Sequence, residues 1–271
     1  MTEGFDFNTK LKALETATNK IEHFKKSTVA PATSMNAVNI EDEESDYEIK
    51  LWLDPTDKTA YYFSEGEMVY LNKDSKYTFR GMSNLTSLDL SGFNTSNVTS
   101  MYYMFYGMSN LTSLNLSSFD TSKVTNMEYM FCGMSNLTSL DLSNFDTSKV
   151  MNMDDMFYNM SNLTSLNLSS FNTSKVTDMG SMFYGMANLT ALNLSNFDTS
   201  NVWDMSHMFY GMRSLTTLDL SNFDTSKVWD MEDMFGDMSS LTTLDLSNFD
   251  TSKVMSMNHM FFLNDKDKIK D

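Results

Sequence analysis

Leu85, Leu111, Leu137, Leu163, Leu189, Leu215 and Leu241 recur every 26 residues, and so do Phe105, Phe131, Phe157, Phe183, Phe209, Phe235 and Phe261. A fixed period of this size marks a repeat architecture and constrains the fold more than any other feature of the chain. Taking the leucine as column 1, seven copies fill residues 85–266, and twelve columns do not vary. In the first copy these are Leu85, Thr86, Leu88, Leu90, Ser91, Phe93, Thr95, Ser96, Val98, Met101, Met104 and Phe105. With column 24, nine columns are apolar, about a third of each copy. Burial at roughly 1.5–3 kcal/mol per side chain falls short of about 1.5 kcal/mol of ordering entropy for every residue of a copy. A single copy therefore cannot fold alone, and stacking must bury each copy on its neighbours, as in a solenoid.

Each copy also has a local reading. Columns 1–6, L-x-x-L-x-L, alternate as a short strand does, and columns 11–14, T-S-K-V in most copies, read as a second extended segment. Columns 17, 20, 21 and 24 (Met101, Met104, Phe105, Met108) fall at i, i+3, i+4, i+7, one face of a two-turn helix. Column 16 is always Ser, Asn or Asp, residues that cap a helix N-terminus. Column 23 is mostly Gly (Gly107, Gly133, Gly185, Gly211), which suits a helix end. Columns 17, 20 and 24 and Met82 hold 21 of the 26 methionines, so the methionine excess reads as core packing rather than as exposed thioethers.

The unit L-x-x-L-[DN]-L-S-x-F-[DN]-T-S-x-V-x-x-M-x-x-M-F-x-x-M resembles the BspA-like leucine-rich repeat surface proteins of bacteria, over about 180 residues. It departs from ordinary leucine-rich repeats where Phe93, Phe119 and Phe145 stand in place of the Asn or Cys ladder. The expected fold is α/β: a right-handed, leucine-rich-repeat-like solenoid of seven 26-residue copies, each with short parallel strands and one short helix. An N-terminal β-hairpin cap and a preceding helix complete it. The resemblance implies a surface-exposed, non-enzymatic protein-binding or adhesion module, with host extracellular-matrix or cell-surface proteins as partners.

Outside the copies, residues 1–26 read as an N-terminal amphipathic helix carrying Leu11, Leu14, Ile21 and Phe24. Residues 27–46 read as a polar, acidic linker, and residues 47–84 as a β-rich cap with a half repeat entering at Tyr77–Met82. The solenoid is expected over 85–266 and a short charged tail over 267–271, a poor cap that hints at truncation or continuation. No apolar run is long enough to span a bilayer and the polar N-terminus lacks the plan of a secretory signal, so the resemblance points to the cell surface while a cytoplasmic location stays open.

A net charge of −17 argues against nucleic acid and anionic membranes as partners. One cysteine excludes an intramolecular disulfide framework. No catalytic constellation, cofactor motif or metal-ligand set is expected: His207 and His259 lie two copies apart and Cys132 has no repeated histidine beside it. Asp and Asn alternate in columns 5 and 10, which leaves calcium binding as an alternative, and the near-identity of the copies leaves a passive spacer or stalk as another. Variation concentrates in columns 15, 18, 19 and 22, and the candidate partner-binding patch is Trp203, Trp229, Met255, Tyr184, Tyr210 and His207.

Overall fold

The computed structural model describes residues 1–264 and 269–270. Helix α1 (Gly4–Ala13) is followed by β1 (His23–Lys26), a short 3-10 turn (Thr33–Met35), β2 (Val38–Asn39), β3 (Ile49–Asp54), β4 (Thr59–Ser64) and β5 (Val69–Tyr70). Within the copies lie β6 (Ser87–Leu88), β7 (Phe93–Asn94) and β8 (Leu244–Asp245), and β9 (Ile269–Lys270) closes the chain. A mixed five-stranded sheet runs β2-β3-β4-β1-β6. The β3–β4 hairpin is antiparallel from Ile49↔Ser64 to Asp54↔Thr59, as the aromatic and β-branched alternation predicts. Strand β1 lies parallel to both β4 and β6, so this sheet continues directly into the first copy.

The helix expected over 1–26 spans only Gly4–Ala13, and Phe24 reaches the core from a strand instead. The segment expected as a linker over 27–46 contributes β2 to the sheet and places Ile40 fully in the core. Of the expected tail over 267–271, residues 267, 268 and 271 lie outside the described residues, while β9 pairs parallel with β8.

The repeats depart further from expectation. The chain does not build a solenoid with one helix per copy: α1, outside the copies, is the one α-helix among the described residues. Columns 16 of successive copies are joined by parallel bridges, Ser100↔Asn126, Asn126↔Asn152 and so on to Asp230↔Ser256. Columns 17–24 are consecutive turns. Met104 N–H donates to Met101 O, Tyr106 N–H to Tyr103 O and Met134 N–H to Phe131 O, each three residues back. Column 19 is left-handed in every copy (Tyr103 φ 56°, Ser181 φ 51°, His207 φ 56°), and so is column 23 (Gly107 φ 70°, Asn159 φ 56°). A left-handed residue in the middle of the stripe breaks an α-helix, whereas it suits the third position of a type II turn. Columns 11–14 are likewise a turn, Val98 N–H to Thr95 O, rather than an extended segment.

The methionine stripe is buried all the same, because turn corners spaced three and four residues apart point inward as one helix face would. Met101, Met104, Phe105 and Met108 are fully buried, as are their counterparts through the stack up to the last copy. The parallel ring stack of the core runs through column 21, not through the column 9 phenylalanines. Phe105, Phe131, Phe157, Phe183, Phe209 and Phe235 lie 5.8–5.9 Å apart and nearly parallel, and Phe119, Phe145 and Phe171 meet them at a tilt.

Backbone hydrogen bonds account for this architecture. From Met101 on, the N–H groups of columns 17, 19, 21 and 23 donate at 2.7–3.1 Å to carbonyls of columns 16, 18, 20 and 22 in the next copy, while columns 20 and 22, and column 24 in most copies, donate within their own turns. The ladder therefore has a direction. Its first carbonyl row is covered by α1: Gly4 N–H donates to Asp74 O at 2.9 Å, and the Asn8 amide donates to Thr78 O and Arg80 O at 3.3 and 3.2 Å. Gly4 is required by that approach, since a Cβ there would stand 2.3 Å from Lys76 O. At the other end Asn264 replaces the column 24 methionine: its side-chain oxygen accepts Met238 N–H at 2.8 Å and its amide donates to Phe235 O.

Candidate functional site

The unvarying Thr of column 11 and the Asp- and Asn-bearing columns hold the turns and the copies together. Thr147 Oγ1 donates to Asn172 O and accepts Asn172 N–H, and Thr95, Thr121, Thr173, Thr199 and Thr225 repeat that exchange at 2.8–3.1 Å. The Asn144 amide donates to Leu116 O and Phe119 O of the preceding copy. The column 5 and 10 residues spend a side-chain oxygen on the N–H two residues on: Asp141 on Ser143, Asp146 on Ser148, Asp198 on Ser200. Those bonds hold the Asp146 and Asp198 carboxyls below the ordinary range. Column 16 does the same, Asp204 accepting Ser206 N–H at 2.8 Å, so the residues that suggest helix caps open turns instead.

Before the last copy the exposed apolar side chains of the repeats lie in a varied column, and the structure separates the six patch residues into two rows. The first is column 15. Trp203 and Trp229 stack with centroids 5.6 Å apart and planes 10° from parallel, and each stays 37% exposed. Their backbones form one rail with Thr177 and Met255: Trp203 N–H to Thr177 O, Trp229 N–H to Trp203 O, Met255 N–H to Trp229 O. Met255 is 78% exposed and Met151, two rungs before Trp203, 52%. The second row is columns 19 and 22. Tyr158, Tyr184 and Tyr210 stack at 4.4 and 4.9 Å, with the His207 ring 6.3 Å from Tyr184 and from Tyr210. His207 Nε2 lies 3.5 Å from the Asp233 carboxylate.

Between the rows lies a group of half-buried carboxyls that the sequence reading does not single out. Gly180 leaves room for it: a Cβ there would stand 2.9 Å from Asp154 Oδ1 and 3.5 Å from Oδ1 of both Asp178 and Asp204. Burial, and then the charges of Asp155, Asp178 and Glu128, push Asp154 up to about 9. Burial also pushes Asp178 up to about 6, against the Gly180 N–H that it accepts. Burial raises Asp155 and Glu128 too. The signal that could have exposed this group is the glycine in column 18, where the flanking copies carry Asp154 and Ser206. Beside it, burial followed by the Asp155 and Asp154 charges lifts the Cys132 thiol to about 12, which keeps it from being a thiolate at neutral pH.

At the first copies the same flank carries Tyr77, Tyr102, Tyr103, Tyr106 and Tyr129. The Arg80 guanidinium lies 5.1–5.6 Å from the centres of Tyr77, Tyr103 and Tyr106, a cation–π arrangement. Among the described residues no group of three or more His, Cys, Asp or Glu side chains is placed to hold a metal ion, and no helix is long and apolar enough to cross a membrane.

These observations define a repeat protein: 26-residue coils in parallel register, a mixed-sheet N-terminal end, and one flank that carries the side chains free to differ. The model of the Mycoplasma protein of unknown function family, DUF285, matches residues 73–192 and 184–268, and the chain belongs to that family. No curated protein and no solved structure matches it.

Proposed function

We propose that this chain is a non-catalytic protein-binding and adhesion module of the cell surface, and that its 26-residue unit is of the BspA-like kind by its L-x-x-L-[DN]-L-S-x-F pattern. The observation that supports this reading is the division of labour among the columns. The constant Thr of column 11 and the Asp or Asn of columns 5, 10 and 16 are spent on backbone bonds within and between copies, while stacked aromatics, half-buried in column 22 and exposed in column 15, occupy columns that vary widely. A surface whose rigid frame presents exchangeable aromatic anchors is suited to protein recognition. The ligand contact is assigned to the flank bearing Tyr184, Tyr210 and His207, with Trp203, Trp229 and Met255 alongside.

Surface plasmon resonance against purified extracellular-matrix glycoproteins tests this. Saturable binding that falls at least about tenfold in Tyr184→Ser/Tyr210→Ser, with an unchanged melting transition, is the expected result. Binding to none of the panel, or binding indifferent to the substitution, would overturn the assignment and favour a spacer, to which the uniformity of the other columns lends itself.

A further inference from the structure

The column 15 row has a neighbourhood that selects a partner. All copies run in the same direction, so the order of columns along the chain is the order of stripes across the flank. On one side of the apolar stripe of Met151, Trp203, Trp229 and Met255 lies column 13, with Lys123, Lys149, Lys175, Lys227 and Lys253, all exposed. Among the described residues none of these lysines lies within 4 Å of a carboxylate, although the column 10 aspartates sit near enough to feel their charge; Lys123 and Lys227 hydrogen-bond Asn97 and Asn201, at 3.2 and 2.7 Å. On the other side lie the half-buried carboxyls of columns 16 and 18, Asp178, Asp204, Asp230 and Glu232, of which the three aspartates give one oxygen to a turn N–H and keep the other for a partner.

We propose that this flank is a self-complementary interface through which a second copy of the chain docks side by side, its coils running in the same direction. The charge order decides both the occupant and the orientation. Facing copies related by a two-fold axis parallel to the stack exchange left and right. Apolar stripe then meets apolar stripe, Trp203 opposite the same residue of the second copy, and each lysine stripe faces a carboxylate stripe. A two-fold axis across the stack would instead set lysine against lysine. Such an interface is isologous and closes on itself, so it yields a dimer and not a filament. At 0.15 M salt the repulsion between two chains of charge −17 is screened beyond roughly 8 Å, leaving the contact pairs to act.

The proposal goes beyond the adhesion reading and is tested without any ligand, so either can fail alone. Sedimentation velocity from low to high micromolar concentration should show a two-chain species. Trp203→Ser/Trp229→Ser, which retains the backbone rail, should weaken it by at least about tenfold. Lys227→Glu and Glu232→Lys lie in the same copy and should each weaken it when studied singly, because like charges then face one another twice. A one-to-one mixture of these two variants should recover the dimer, since both contacts become opposite pairs. Circular dichroism and melting of each variant establish that it folds. A single-chain mass at every concentration would overturn the proposal. So would a dimer indifferent to the tryptophan and lysine substitutions, or a mixture no more associated than its parts.

Discussion

Ser181 separates a turn from a helix by the sign of one energy difference. It occupies column 19 with φ 51°, and its N–H donates to Ser206 O at 2.7 Å. A residue with a Cβ in the left-handed region costs about 1–2 kcal/mol that glycine does not. Glycine in turn loses about 0.5–1 kcal/mol more chain entropy on folding. The difference puts Ser181→Gly more stable than Ser181→Ala by about 0.5–1 kcal/mol. Were residues 179–186 an α-helix, glycine would instead be the worse of the two by about 1 kcal/mol. Both variants keep the backbone donor, and no larger side chain is introduced. Urea denaturation of the two proteins, followed by far-ultraviolet circular dichroism, reads the sign directly, and equal m-values would show that both unfold the same surface. If the alanine variant proved more stable than the glycine variant, the turn assignment at column 19 and everything argued from it would be refuted.

Three further outcomes follow from the same contacts. Asp154, pushed up to about 9, binds its proton more tightly in the folded chain than in the unfolded one, so stability should fall as pH rises from about 4 toward 9. Asp154→Asn should flatten that slope in melting curves taken between pH 5 and pH 9, and an unchanged slope would contradict the burial of this carboxyl. Thr173→Val removes both bonds to the Asp198 backbone, at 2.9 and 2.8 Å, and leaves a donor and an acceptor unpaired. A loss of about 2 kcal/mol is expected by denaturant titration. Under mild peroxide Met255, Met151 and the 47% exposed Met257 should form sulfoxide before Met153, Met156 and Met160, which are fully buried, as peptide mapping by mass spectrometry would show.

The period, the core columns and the place of variation are legible in the sequence, because burial repeats every 26 residues wherever the apolar columns do. The local conformation is not. A stripe at i, i+3, i+4, i+7 fits a helix face, but turns of three-residue closure put Met153, Met156, Phe157 and Met160 on one side equally well. The deciding residue is column 19, filled by Tyr103, Tyr129, Asp155, Ser181, His207, Asp233 and His259. None is glycine, so the left-handed backbone leaves no compositional mark there, and only the Asp and His members hint at it. Likewise Ile40 and β2 are hidden in a stretch whose acids and proline read as linker, since two residues suffice to join a sheet edge but not to reveal one.

The choice of turns over helix has a consequence for how the stack grows and stops. In an α-helix capped at column 16 the N–H groups of columns 20–24 would all be spent inside their own copy, leaving only the first turn's donors free. Here half of the donors of columns 17–24 leave the copy, and they leave in one direction. Each coil therefore needs one neighbour that offers donors to its carbonyls and another that offers carbonyls to its N–H groups. The start of the stack meets the first requirement with a helix laid across the carbonyl row, through Gly4 and Asn8. At the last copy the N–H groups of Met257, His259, Phe261 and Leu263 meet no acceptor among the described residues, and Met257 is 47% exposed where its counterparts in earlier copies are fully buried. The two ends are thus chemically unlike, so a cap that serves one cannot serve the other. Side-by-side pairing through column 15 is compatible with that polarity because it leaves the directional edges untouched.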